Sequence, residues 1–168
     1  IMVLWDFNEN KNYININGYK VLNTIDSKKA SILLKRIEQF IYKLLNKLIN
    51  FEKITPEIHL LLTTPFYIQE MQIEKDQGSI KFLGLNKPKN VKKTNKLKIG
   101  LDGNKRAEYR LIFLTLRDDR GELKSLNSLK PLIIHELVHT ALNHVTWKDD
   151  NHGEEFKNFE KILMKYKN

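Results

Sequence analysis

The sequence predicts an α+β fold in a single domain, and three observations predict it. The chain is 168 residues long, within the usual span of one domain. Its hydrophobic fraction is 41%, enough for a packed core and too much for a disordered chain. A hairpin signature runs directly into a long amphipathic stretch, and short apolar runs in the middle give way to helical spacing at the C-terminal end. The regions expected are an N-terminal hairpin and helix at about 12–51, a small antiparallel or mixed sheet at about 57–117, and two helices at about 128–167.

Tyr13 to Ile16 and Tyr19 to Leu22 alternate apolar residues around Asn17-Gly18, the pair that supplies both positive-φ positions of a type I′ turn. Asp26 or Ser27 then caps a helix over Lys28 to Phe51, whose stripe is Leu33, Ile37, Phe40, Ile41, Leu44, Leu48 and Ile49. Ile58 to Thr63 reads as a buried strand, with His59 a structural histidine. Phe66 to Ile73 fits strand or helix equally, and Ser79 to Leu85 reads as extended. Lys96 to Leu101 and Glu108 to Arg117 read as antiparallel strands joined around Asp102-Gly103, with Arg120-Gly121 closing the unit. A helix starts at Asn127 or Ser128, with Pro131 in its first turn, and runs to Asn143. A last helix spans His152 to Tyr166, entered through a capping box of Asn151 and Glu154.

The chain has no cysteine, which excludes a disulfide framework, a cysteine nucleophile and a zinc ribbon. No apolar run reaches 18 residues and no signal peptide is visible, so the expectation is an intracellular protein, nuclear or cytoplasmic, that does not touch membrane. With 29 basic and 20 acidic residues the net charge is +9. That balance permits an anionic partner, nucleic acid first, although AT-rich codon usage, which makes Lys and Asn abundant and Arg scarce, produces it too.

The informative stretch is His135-Glu136-Leu137-Val138-His139. Two histidines four apart on a helix are about 400° apart in rotation, so both imidazoles project from one face. That spacing lets both reach one zinc at about 2.0–2.1 Å. Glu136 lies about 100° round from His135, the place from which a carboxylate reaches an attacking water in zincin-like sites. Ile134, Leu137, Val138 and Ala141 form the stripe that anchors such a helix in a core. By chance the pattern occurs in about one sequence in a hundred of this size and composition, so one zinc per chain is expected.

A catalytic zinc needs a third protein ligand and an open position. His152, thirteen residues past His139 after a loop long enough to reverse direction, is favoured over Asp149, Asp150, Glu154, Glu155 and Glu160. Among the acids Glu160 is the first choice. His144 is expected to point round the far side of the helix end, so that its loss, like that of His59, leaves zinc retention intact.

His135-Glu136-Leu137-Val138-His139 followed by His152-Gly153-Glu154-Glu155-Phe156 resembles the SprT-like (Spartan) and WLM families of DNA-dependent zinc metalloproteases. The upstream segments Phe82 to Asn86, Ile112 to Arg117 and Leu132 to Ile134 are similar to WLM domains, and the gap to His152 is closer to SprT-like proteins. The resemblance covers about residues 80–165. It implies a monomeric zincin-like metalloprotease domain that cleaves proteins bound or crosslinked to DNA, with single-stranded or junction-containing DNA bringing enzyme and substrate together. A zinc ribbon, frequent in SprT-like proteins, has no cysteines here to build it.

In this reading His135, His139 and His152 hold zinc, and Glu136 takes a proton from the attacking water and returns it to the leaving amine. Tyr109 to Arg117 is the expected edge strand above the cleft. Asp149, Asp150 or a backbone carbonyl is expected to orient the ligand imidazoles, and Tyr109 and His144 are candidates for oxyanion stabilisation. Lys87, Lys89, Lys92, Lys93, Lys96 and Lys98, with Lys105, Arg106 and Arg110, are the candidate phosphate contacts. The alternatives are a general intracellular zinc peptidase indifferent to DNA and a non-catalytic DNA-binding module with a structural zinc.

Overall fold

The computed structural model describes residues 12–72, 83–100, 103–145 and 152–168. Strands β1 (Tyr13–Ile16) and β2 (Tyr19–Leu22) form the expected antiparallel hairpin. Asn17 and Gly18 take φ of 53° and 86°, as a type I′ turn requires. Helix α1 (Ser27–Phe51) follows, with Ala30, Leu33, Leu34, Ile37, Phe40, Ile41, Leu44, Leu45 and Leu48 on its buried stripe.

The expected strand at 58–63 is instead helix α2 (Pro56–Thr63). Thr55 caps it by accepting from the Ile58 amide, and Pro56 at the first helical position has no N–H to leave unsatisfied. A short apolar run does not by itself distinguish strand from helix; the Thr-Pro start decides it. His59 lies on the exposed side of α2, not in the core.

Strands β3 (Phe66–Glu70), β4 (Gly84–Lys89) and β7 (Tyr109–Leu114) form a mixed sheet in the order β3-β7-β4, with β3–β7 parallel and β4–β7 antiparallel. The expected pairing of 96–101 with 108–117 is not seen among the described residues. The chain of β4 instead turns at Asn90 (φ 51°) into β5 (Lys92–Lys93), which pairs with β6 (Lys105–Arg106). β7, expected at an edge, is the central strand.

Helix α3 (Leu126–Ala141) and helix α4 (Glu154–Met164) complete the α+β domain. Ser125 caps α3 through the Ser128 amide. Because the helix begins at Leu126, Pro131 sits inside it rather than in its first turn. Pro131 and Asn127, whose carbonyl its missing N–H would have met, are both exposed residues. Gly153 precedes α4 with no side-chain cap; the Asn151 part of the expected capping box lies outside the described residues. α3 is the hub, packed against α1, α2, α4, β4 and β7. Ile133, Ile134, Leu137, Val138 and Ala141 from α3 share one core with Ile112 and Leu114 from β7 and Phe156, Phe159 and Leu163 from α4. No helix among the described residues is long and apolar enough to cross a membrane.

Candidate metal centre

α3 delivers His135 and His139 on one face, and the chain entering α4 delivers His152. One nitrogen from each of the three lies within 4.8 Å of the other two. His139 Nε2 and His152 Nε2 are 3.4 Å apart, close to the ~3.3 Å between two ligands on a tetrahedral zinc with 2.0–2.1 Å bonds. His139 is buried, His135 half-buried and His152 exposed, so the cluster has one side open to solvent. Burial and the neighbouring His144, His135 and His152 push the His139 imidazole down to about 2. It therefore stays neutral, the form that donates a lone pair to a metal. Three convergent imidazoles, one held neutral, are a donor set that fits zinc.

Phe156, in the first turn of α4, is 2% exposed and sits beneath the cluster. Its ring centroid lies 4.8 Å from that of His135, 5.0 Å from His139 and 4.6 Å, edge-on, from His152. The aromatic that follows the distal histidine is thus the floor on which the ligand rings rest. Glu160, one turn further along α4, places Oε2 3.6 Å from His135 Nδ1. It stands beside the cluster, and the third member is His152.

Glu136 is 3% exposed. Its carboxylate lies against Gly84 at the start of β4, where an added Cβ would stand 3.0 Å from Oε2 and 2.9 Å from Leu132 Cδ1. A cleft of about 560 Å³ runs along this face, lined by Leu83, Gly84, Lys124, Leu129, Pro131, Leu132, His135, Glu136 and Glu160 among others. His135, the Glu136 carboxylate and the cleft therefore meet beside the start of β4. β7 is paired on both sides, so the outer strand beside the cleft is β4.

Behind the site, Asn86 Nδ2 donates to the Glu136 carbonyl and to Thr140 Oγ1, both at 2.7 Å. Arg110 Nη1 donates to Asn86 Oδ1 at 3.3 Å and to the His144 carbonyl at 2.9 Å. Arg110 is 1% exposed and Lys87 8% exposed. Both are thus buried, where the expectation had them facing phosphate; Arg110 ties β7 and β4 to the end of α3. Lys92, Lys93, Lys96 and Lys98 are exposed, and Lys89, Lys105 and Arg106 half-buried. Tyr109 belongs to the opposite sheet face from Arg110, where its ring meets Tyr67 edge-on at 5.7 Å. It is not among the residues that line the cleft. Asp149 and Asp150 lie outside the described residues. His144, expected to point away, instead has Nδ1 2.8 Å from His139 Nδ1.

Comparison of the chain with protein-family models, with curated proteins and with solved structures finds no match.

Proposed function

We propose that the protein is a zinc-dependent endopeptidase, stimulated by DNA, that cleaves proteins bound or crosslinked to DNA. The observation that carries the hydrolytic part is the convergence of His135, His139 and His152 beside the Glu136 carboxylate at an open cleft. His135, His139 and His152 would hold the ion. When bound, zinc acidifies a water and polarises a carbonyl. Glu136 accepts the proton of the attacking water and passes it to the leaving amine. The outer strand β4 offers main-chain groups to an extended substrate lying along the cleft. A purely structural zinc has no use for a buried acid next to its ligands, which counts against a non-catalytic module.

The DNA part rests on the residue resemblance to SprT-like and WLM proteases and on one feature of the β5–β6 ribbon. Lys92 stands opposite Arg106, and Lys93 opposite Lys105. Like charges directly opposite destabilise a strand pair, and among the described residues the guanidinium of Arg106 donates to the neutral Thr63 carbonyl and hydroxyl. An anionic backbone laid on this ribbon relieves the repulsion. The burial of Arg110 and Lys87, which shortens the basic set, favours the second reading, a zinc peptidase indifferent to DNA.

The test is cleavage of a DNA-binding protein with and without single-stranded or junction-containing DNA, by wild type and by a variant with Lys92, Lys93 and Lys96 changed to Ser. Stimulation by DNA in wild type and its loss in the variant is the expected result. The salt dependence of DNA affinity should also flatten by about 0.7–0.9 per contact removed. Equal cleavage in all four conditions selects the second reading.

A further inference from the structure

We propose that His144 is a positioning residue for the metal centre: its Nδ1 accepts the Nδ1–H of His139 and fixes the orientation and tautomer of that ligand. The proposal rests on the zinc-binding part of the reading above and is independent of peptidase activity and of DNA. The backbone at the end of α3 places His144 for this task. Asn143 adopts the left-handed conformation (φ 58°). The His144 amide donates to the His139 carbonyl at 3.0 Å, and the Asn143 amide to the Thr140 carbonyl at 3.1 Å. This pair of bonds is a Schellman motif, in which the residue after the left-handed position folds back over the residue three before the cap. Those residues here are His144 and His139, and the contact usually made by two apolar side chains is made by two imidazoles.

The turn is held from outside as well. Asn143 Nδ2 donates to the Lys105 carbonyl at 2.6 Å and to that of Ile99 at 3.3 Å, and buried Arg110 holds the His144 carbonyl. Gly100 passes so close that a Cβ there would stand 2.6 Å from the Leu142 carbonyl. His144 therefore reaches His139 from a fixed platform. His139 Nε2 faces His152 Nε2 at 3.4 Å, the side on which an ion shared by the three histidines would sit. A neutral imidazole that offers the Nε2 lone pair carries its proton on Nδ1, and that proton points at His144 Nδ1, 2.8 Å away. His144 Nδ1 must then be the acceptor. Ligand histidines generally give their second nitrogen's proton to a carboxylate or a carbonyl; here a second histidine takes it.

The experiment measures zinc affinity by competition with a chromophoric chelator, and the visible spectrum of the cobalt-substituted protein, for wild type, His144→Leu, His144→Asn and His144→Asp. Asn places an acceptor oxygen near the position of Nδ1, Asp a stronger one, and Leu none. His144→Leu is expected to weaken zinc binding about 10–100-fold and to alter the cobalt spectrum. His144→Asn should restore most of the affinity, and His144→Asp should bind at least as tightly as wild type. Equal affinity in His144→Leu and wild type, or no rescue by Asn over Leu, overturns the proposal. If His144→Leu does not fold, the remaining series decides it, since weaker binding by Asp than by Asn contradicts an acceptor role. A wild-type protein that binds zinc but cleaves nothing would refute the peptidase reading and leave this one standing.

Discussion

Gly84 shows how narrowly one residue frames the chemistry. A methyl group there meets the Glu136 carboxylate and the tip of Leu132, both of which can swing away, so Gly84→Ala should cost little stability and shift the carboxylate. The expected result is a lower kcat with zinc content unchanged; wild-type kcat would show that Glu136 tolerates displacement. His139 gives a pH dependence whose sign follows from its depressed pKa. Unfolded, it takes up a proton near its ordinary 6.5, whereas in the metal-free fold it resists protonation down to about 2. Its contribution is intact above pH 6.5 and is lost as pH falls below it, by up to about 1.4 kcal/mol per pH unit. Denaturation of the metal-free protein at pH 7 and pH 5 should show this loss, and His139→Gln should flatten it. The residue pattern made His135, Glu136, His139 and His152 legible because helical spacing and a loop-separated histidine are local signals. His144 was misjudged because its direction depends on Asn143 entering the left-handed region, which Asn tolerates but does not announce.

Among the elements, those with a strong local signature were readable: the Asn-Gly hairpin, the long stripe of α1, and both C-terminal helices. α2 falls where the apolar run 58–63 suggests a strand, although its start signal, Thr55-Pro56, is in the sequence. Thr55→Ala should remove the cap on the Ile58 amide and lower stability by about 0.5–2 kcal/mol, measured by urea unfolding; no change would mean that α2 is held by packing alone. The order β3-β7-β4 was not legible, because β7 pairs in parallel with a strand far back in sequence, Phe66 standing beside Arg110. Nothing local encodes such a pairing. Its consequence is functional, since it makes β4 the outer strand at the cleft and buries the arginine that a surface reading had assigned to phosphate.

At the scale of the whole molecule, Arg117 ties the N-terminal hairpin and α1 to the sheet that carries the site. Its Nε donates to Glu70 Oε2 at 2.7 Å, and its Nη1 to Asp26 Oδ1 at 2.7 Å. The other Glu70 oxygen accepts from the Leu22 amide of β2. Glu70 is 0% exposed, so Arg117→Ala strands a buried carboxylate and should destabilise the fold by about 3–5 kcal/mol; a loss under 1 kcal/mol would contradict that account.

The proposed zinc peptidase site is built from His135, His139 and His152 around Glu136. Its most direct test is zinc content together with peptide-bond cleavage for wild type and Glu136→Gln, purified without chelator. One zinc per chain is expected in both proteins, and cleavage by wild type alone. Wild type without zinc, or a Glu136→Gln variant that cleaves as fast as wild type, would contradict it.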